Sequence, residues 1–366
     1  MESSHPGQLL LVGVPGTELD AGTAALYRAV RPGGFILFGR NIQSPGQLRK
    51  LIDDLRDLSP VEPIITIDQE GGRVSRLRLI GTEPPNAQQL RERADLALIG
   101  RHGAITARLL RMFGFNLDLC PVLDLSFDDE ADNSLRGRCY GSDVEEVCRN
   151  AGAFNDALRA GGILSCGKHF PGYAAAGLDP HHDLPTIHRT REQLDREELE
   201  VFRRFSDRVD SMMVCHAAYP ALDASGCPAS LSAPIIRDLL GGEFGFEGLV
   251  MTDDLDMGAI LNGYTLDQAV GGSIRAGNHL AMICHRVPVL PEALAVLEAL
   301  PADVLDPALA RVADWKARLA PPEVWDEAEF RRRDAEVWEL RVAVLGAELA
   351  AQRSPEDGKR SPVEIY

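Results

Sequence analysis

The chain lacks several features that would assign it to a membrane, nucleic-acid or secreted class. Its 38 lysines and arginines are outnumbered by 55 aspartates and glutamates, for a formal net charge of −17, and the basic residues form no long run. Nucleic acids and anionic membranes both bind basic surfaces, so we expect neither as a partner. No segment approaches the ~20 apolar residues of a membrane span. The first residues, Met1 to Pro6, lack the basic and apolar stretches of a secretory signal, which favours a cytoplasmic protein.

Cysteine is sparse and dispersed, with seven residues and no C-x-x-C pair. Several of them, such as Cys166, Cys215 and Cys284, lie inside apolar runs. This usage is typical of buried thiols in a reducing compartment and not of disulfides or zinc ligands. A P-loop and a strand-anchored G-x-G-x-x-G are also missing, so nothing supports nucleotide binding.

What the sequence does contain is a regular series of eight short apolar runs bounded by turn residues. Several are apolar almost throughout, as expected for parallel strands that are buried on both faces. The runs are Gln8–Gly13, Gly34–Gly39, Pro63–Asp68, Leu117–Leu125, Ile163–His169, Ser211–His216, Gly248–Asp253 and His279–His285.

Helical patterns separate these runs, and eight strand–helix alternations predict a closed (β/α)8 barrel of the TIM type. The clearest patterns cover Pro45–Leu58, Gln88–Phe113, Val144–Ala160, Arg191–Arg208, Ala233–Leu240 and Leu266–Ala276. From Pro301 onward the chain turns helical and polar, through Leu305–Leu319 and Glu323–Ala350. We therefore expect one domain, a barrel with C-terminal helices over 1–352, followed by a loose polar tail at 353–366.

Polar residues of a few types recur at the carboxyl ends of the predicted strands. In a barrel these positions face one mouth, where the active site is built. The alternative is that strands simply end where polarity begins. The residues are Asp68, Asp124, Lys168, His169, His216, Asp253 and His285.

The segment after the fifth run carries a candidate acid/base pair. An Asp two residues before a His, as in Asp179-Pro180-His181, can hold one tautomer of the imidazole and favour proton exchange near neutral pH. A lone D-x-H is more often solvated on a surface loop, so the pair alone decides nothing. Nearby histidines also raise the alternative of a metal site, but their spacing fits none of the common metal motifs.

Asp253 is the candidate nucleophile, because it is the last residue of the seventh run. A carboxylate there can attack an anomeric carbon and form a glycosyl ester. Asp254 and Asp256 are open to a simpler interpretation, as acids favoured by a helix N-terminus. Three further residues suit a sugar: Asp68 as an acceptor for hydroxyls, and Arg73 and Arg138 as forked donors for hydroxyls or a carboxylate.

Three multi-residue motifs stand at the ends of the third, fifth and seventh runs, and together they resemble glycoside hydrolase family 3. Within that family the chain is similar to the single-domain bacterial β-N-acetylglucosaminidases, with matching stretches from about residue 8 to 285. The motifs are Ile67-Asp68-Gln69-Glu70-Gly71-Gly72-Arg73-Val74, Lys168-His169-Phe170-Pro171-Gly172 followed by Asp179-x-His181 and Leu184-Pro185, and Thr252-Asp253-Asp254-Leu255-x-Met257.

The resemblance implies a retaining exo-β-N-acetylhexosaminidase that acts on an N-acetylglucosaminide or a muropeptide during cell-wall recycling. Asp253 would be the nucleophile, and His181, paired with Asp179, would be the general acid and then the base. No metal or cofactor is implied. The positions that match the grip on the non-reducing sugar are Asp68, Arg138, Lys168 and His169, and His216 matches a strand-end histidine near the nucleophile.

The chain departs from the family pattern in the segment that carries the dyad. The family usually continues His-Gly-Asp after Gly172, where this chain has Tyr173-Ala174-Ala175, and Pro180 replaces the usual Ser between the Asp and the His. Three alternatives therefore stay open: another sugar specificity, a glycoside phosphorylase, and a degenerate sugar-binding protein. Phosphate remains possible as acceptor because a His that has given up its proton does not repel an anion.

Overall fold

The computed structural model describes residues 4–130, 133–173 and 183–354 of the chain. Eight parallel strands form a closed barrel, in which each strand pairs with the next along the chain and the eighth pairs with the first. The (β/α)8 prediction is therefore confirmed. The strands are β1 Leu10–Gly13, β2 Gly34–Leu37, β3 Ile64–Ile67, β4 Leu117–Asp118, β5 Leu164–Phe170, β6 Ser211–Val214, β7 Leu249–Asp254 and β8 Leu280–Ile283.

Each of the eight apolar runs contains one barrel strand, and the strand residues are almost all buried because helices cover the outside of the barrel. The fourth run is the least regular. Its regular ladder ends at Asp118, two residues before Cys120-Pro121. Beyond it the segment still pairs with β5, since the amides of Cys166 and Lys168 donate to the carbonyls of Cys120 and Pro121. Pro121 has no backbone N–H to donate in return, so the ladder is irregular there.

The helices follow the predicted patterns, with two predicted exactly at both ends. These are α2 and α5, whose N-caps Ser44 and Asp143 accept from the amides of Gln47 and Glu146. The helices of the described ranges are α1 Ala21–Val30, α2 Pro45–Leu58, α3 Ala87–Glu92, α4 Leu96–Phe113, α5 Val144–Ala160, α6 Arg191–Arg196, α7 Glu198–Phe205, α8 Gly258–Leu261, α9 Gly272–Ala276, α10 Leu290–Glu298, α11 Ala302–Lys316, α12 Glu327–Leu345 and α13 Ala347–Ala350.

Two helices that the sequence predicts as continuous are broken. The pattern over 88–113 divides into α3 and α4 at Ala94, which has a positive φ of 51°. The pattern over 191–208 divides into α6 and α7 at Glu197, with φ −122° and ψ −91°. The predicted helices over 233–240 and 266–276 contain π-helical turns, at Pro234–Glu243 and Asp267–Gly271.

The C-terminal helices pack against the barrel and belong to the same core. Trp315 of α11 donates its indole N–H to the backbone carbonyl of Asp210, 2.7 Å away, just before β6. The buried Asp210 carboxylate pairs with Arg159 and Arg318. Most of the predicted tail, from residue 355 onward, lies outside the described residues. None of the helices in the described ranges is both long and apolar enough to cross a membrane.

Candidate active site

A cavity opens at the carboxyl ends of the strands, where the sequence predicts the functional residues to meet. It contains about 610 Å³ of space, part of it open to solvent. Its polar lining is Asp68, Arg76, Arg138, Lys168, His169, Tyr173, Asp253, Asp254 and His285, and its apolar lining is Ile36, Phe38, Leu119, Met213, Met257, Met282 and Cys284.

A buried network of alternating charges forms one side of the cavity. The Lys168 ammonium lies 2.6 Å from Asp68 Oδ1 and 2.6 Å from Glu70 Oε1. The Glu70 carboxylate also accepts two hydrogen bonds of 2.7 Å from Arg138, through Nε and Nη2. This bidentate geometry fixes the guanidinium plane. Asp68 and Glu70 come close because a short hairpin, Gln69–Gly71 with Val74–Ser75, follows β3 directly.

The network keeps its members charged although they are removed from water. Burial by itself would raise the pKa of Asp68, but Lys168 and Arg76 lower that pKa below its usual value. Burial would also raise the pKa of Glu70, and Arg138 and Lys168 bring it well below the usual range. Conversely, burial would lower the pKa of Lys168, and the two carboxylates raise it overall. At neutral pH the cavity therefore presents ionised acceptors and donors in fixed positions.

His169 is held by the buried carboxylate of Asp124. Its Nδ1 lies 2.6 Å from Asp124 Oδ2, and its backbone N–H donates to the same oxygen at 3.1 Å. Because a carboxylate can only accept, the proton of the neutral ring is on Nδ1, and Nε2 faces Arg138 Nη2 at 3.4 Å. Tyr173 donates its backbone N–H to Asp124 Oδ1 and packs edge-on against the His169 ring.

Asp253 is the penultimate residue of β7 and lines the cavity with its side chain partly exposed. Its Oδ1 accepts the backbone N–H of Asp254 at 2.8 Å. Asp254 points to a different set of partners, since its carboxylate accepts the amides of Asp256 and Cys284 and lies 3.2 Å from His285 Nε2. Of the acids in this segment, Asp253 is thus the one with a carboxylate oxygen facing the cavity and not committed to a neighbouring strand.

Residues 4–314 match the sequence profile described as the glycosyl hydrolase family 3 N terminal domain. The chain belongs to glycoside hydrolase family 3. A β-hexosaminidase of Pseudomonas aeruginosa is 32% identical over 293 residues, which cover 80% of this chain and 86% of that protein. A β-hexosaminidase of Alkalilimnicola ehrlichii is 36% identical over 299 residues, covering 80% and 84%. The structure of a family 3 β-N-acetylglucosaminidase from Paenibacillus sp. str. FPU-7 superposes with a TM-score of 0.84 at 32% identity, over 93% of this chain and 68% of that one.

This family 3 glycoside hydrolase brings together five of the eight predicted site residues in one cavity. They are Asp68, Arg138, Lys168, His169 and Asp253. The predicted acid/base pair, Asp179 and His181, lies outside the described residues.

The structure does not bring His216 to the cavity wall. Its side chain is fully buried, with Nδ1 2.7 Å from Ser230 Oγ and Nε2 2.9 Å from the backbone carbonyl of Asp254. Both ring nitrogens are thus occupied inside the protein. A direct contact between His216 and a sugar does not fit this position, which instead supports the backbone next to Asp253. His216 lies two residues beyond the end of β6 at Val214, and its side chain turns toward Ser230.

Sequence reasoning missed three residues of the site. Glu70 follows Asp68 by two positions, and this spacing puts both side chains on one side of an extended segment, so the signal was available. Tyr173 was recognised only as a departure from the family pattern. Arg76, buried and 3.5 Å from Asp68 Oδ2, carried no signal that separates it from neighbouring Arg78, which pairs with Glu83 away from the cavity.

Within residues 4–130, 133–173 and 183–354, no group of three or more His, Cys, Asp or Glu side chains is arranged to hold a metal ion. The two histidines at 181 and 182 fall outside these ranges.

Proposed function

We propose that this protein is a retaining exo-β-N-acetylhexosaminidase that removes a non-reducing terminal N-acetylglucosamine. The observation that carries the proposal is the position of Asp253, whose carboxylate lines the same cavity as the Asp68, Lys168 and Arg138 network. A retaining glycosidase requires a nucleophilic carboxylate beside the bound sugar, together with an acid/base group. The names of the relatives, β-hexosaminidase and β-N-acetylglucosaminidase, favour an N-acetylhexosamine as the sugar.

In the proposed reaction the Asp253 carboxylate attacks the anomeric carbon as the bond to the leaving oxygen breaks. His181, oriented by Asp179, gives its proton to that oxygen, and a glycosyl ester on Asp253 results. His181 then takes a proton from water as the water attacks the anomeric carbon and the bond from that carbon to Asp253 breaks, which releases the sugar with its original anomeric configuration. This scheme uses no metal or cofactor, because the nucleophile and the acid/base are both side chains.

We assign sugar binding to Asp68, Arg138, Lys168 and His169. Asp68 is ionised, so its two oxygens can accept from two hydroxyls. Lys168 holds one of these oxygens in place. Lys168 and Arg138 supply the donors. Because these groups are already paired to one another, little rearrangement is needed when the sugar binds.

We further propose that the enzyme works in the cytoplasm on cell-wall fragments such as muropeptides. All seven cysteines are free thiols, and five are buried, as is usual in a reducing compartment. The choice of cell-wall fragments rests on the family resemblance.

The decisive experiment is hydrolysis of 4-nitrophenyl β-N-acetylglucosaminide by the wild type, Asp253→Ala and a matched control. Asp267→Ala is a suitable control, because Asp267 is an exposed acid at the start of a helical turn further along the chain. We expect Asp253→Ala to lose on the order of 10⁴-fold in kcat, and the control to match the wild type. Turnover by Asp253→Ala at the wild-type rate would refute the assignment.

Two additions to this assay separate the alternatives. A fluorinated N-acetylglucosaminyl fluoride should accumulate as an ester, and peptide mass spectrometry should locate the ester on Asp253. Formation of N-acetylglucosamine 1-phosphate when phosphate is added would establish a phosphorylase. Loss of activity on adding a chelator would favour a metal-dependent hydrolase.

A further inference from the structure

Glu198, the first residue of α7, is a buried acid that the proposed reaction does not use. Its side chain has no solvent exposure, and within the described ranges neither carboxylate oxygen accepts a hydrogen bond. One oxygen, Oε1, lies 3.1 Å from Nε of Arg189. A carboxylate removed from water with so few partners destabilises a fold. A helix N-terminus also stabilises an acid that is exposed to solvent. The position of Glu198 at the start of α7 therefore does not explain why its side chain is buried.

The Glu198 side chain packs directly under Gly172, at one end of the cavity wall. A Cβ built on Gly172 would lie 2.9 Å from the Cβ of Glu198 and 3.0 Å from its Cγ, and Gly172 has a φ of +104°. The next residue, Tyr173, lines the cavity and packs on His169. The position of Glu198 therefore limits where the chain from His169 to Tyr173 can run.

Arg189, which forms the ion pair with Glu198, connects it to two neighbouring segments of the chain. Its guanidinium lies 4.9 Å from the ring centroid of Phe127, in the segment after Asp124, and pairs with Glu197. Two residues earlier the chain is fixed by Ile187, whose N–H donates to the carbonyl of Ala218. Arg189 thus ties the segments before and after the cavity wall to α7.

We propose that Glu198 is a positioning residue for the cavity wall from His169 to Tyr173, and that it acts as a carboxylate paired with Arg189. The proposal rests on the proposed function, because sugar turnover is the readout.

The ionisation state of Glu198 can be changed within the working pH range. Burial raises its pKa to about 7, Arg189 opposes the rise, and Glu197 and Asp124 add to it. These groups, together with the Tyr219 hydroxyl, are the titratable neighbours that face Glu198. At pH 8.5 the carboxylate is ionised and can pair with Arg189, whereas at pH 5.5 it is protonated.

The test compares the wild type with Glu198→Gln from pH 5.5 to 8.5, measuring kcat/KM on the aryl β-N-acetylglucosaminide. Glutamine has the shape of the protonated acid. The wild-type to variant ratio of kcat/KM should therefore be close to one at pH 5.5 and rise through pH 7 to about tenfold or more at pH 8.5. Glu200→Gln is the matched control, since Glu200 lies on the same helix and pairs with Arg203 and Arg204 at the surface. Its ratio should stay at one.

Thermal unfolding of the same variants gives a readout that a merely structural role would not produce. Glu198→Gln removes a buried charge, so it should melt a few degrees above the wild type at pH 8 while being less active there. A ratio that does not change with pH, or one reproduced by Glu200→Gln, overturns the inference alone. If the wild type hydrolyses no aryl β-glycoside, the proposed function fails, and this inference fails with it.

Discussion

The buried His102 should lower the free energy of unfolding at acid pH, and its replacement should remove this effect. His102 lies on α4, 1% exposed, against the Phe154 ring and below the Gly71 turn that follows the cavity network. Among the described residues neither ring nitrogen has a hydrogen-bond partner. Burial lowers its pKa from 6.5 to about 4, since no nearby carboxylate compensates the imidazolium.

The magnitude follows from this difference of about 2.5 pKa units between the unfolded and folded states. At 1.36 kcal/mol per unit, the neutral His102 contributes about 3 kcal/mol that is fully present above pH 6.5 and lost as the pH falls to 4. Most of this contribution disappears between pH 7.5 and 4.5. In His102→Phe, which keeps an aromatic ring against Phe154, this loss should be absent.

The wild type alone cannot reveal the effect, because Glu198 acts in the opposite direction. Its pKa is raised from 4.5 to about 7, so its contribution is lost as the pH rises through the same window. The two changes are of similar size and nearly offset each other between about pH 4.5 and 6.5. The difference between variant and wild type is therefore the quantity to follow.

The assay is urea unfolding of the wild type, His102→Phe and His188→Phe at pH 7.5 and 4.5. His188 is exposed, so its replacement controls for the loss of one histidine. The free energy of unfolding of the wild type, relative to His102→Phe, should fall by about 2–3 kcal/mol on going to pH 4.5. An equal pH response of the two proteins would show that His102 is solvated or paired, and the argument from burial would be wrong.

Three further changes test the site. Lys168→Met leaves two buried carboxylates without their shared ammonium and should cost about 3–5 kcal/mol in urea unfolding; a cost below ~1 kcal/mol would contradict the network. Phe in place of His216 removes the bond to the carbonyl of Asp254 and should lower kcat about 10–100-fold with KM unchanged, whereas a rise in KM alone would indicate sugar contact. Gly172→Ala should lower the free energy of unfolding by about 1–3 kcal/mol, because Gly172 has a φ of +104°. Gly46→Ala should not lower it, because the space around Gly46 is open.

The barrel could be predicted from the sequence because its strands are continuous apolar runs, and burial on both faces leaves little ambiguity about where they lie. The helix breaks could not be predicted. At Ala94 the chain adopts a positive φ without a glycine, and at Glu197 it turns between two stretches with the same helical periodicity. In both cases the residue types do not show that the first helix has to end there.

The site was predictable to the extent that it depends on strand ends. Asp68 follows β3 directly, and Lys168 and Asp253 lie within the last three residues of β5 and β7, so the barrel carries them to one mouth. His216 has the same sequence signature, but its side chain turns into the core, toward Ser230 and the carbonyl of Asp254. Arg76 lies beyond a hairpin. Neither hydrophobic periodicity nor a sequence motif indicates there which arginine faces the cavity. Its role depends on a tertiary contact with Asp68, which no local pattern encodes.

The charges around the cavity have a consequence for how substrates are captured. The described lining carries three carboxylates and three permanent cations, namely Asp68, Asp253, Asp254, Arg76, Arg138 and Lys168. With Glu70, which pairs with Lys168 and Arg138, the site has four carboxylates and three cations, and the whole chain carries −17. A neutral saccharide has no net charge for this field to act on, so its kcat/KM should be nearly independent of ionic strength. An acidic muropeptide, by contrast, is repelled by the exterior on approach, so added salt should speed its capture.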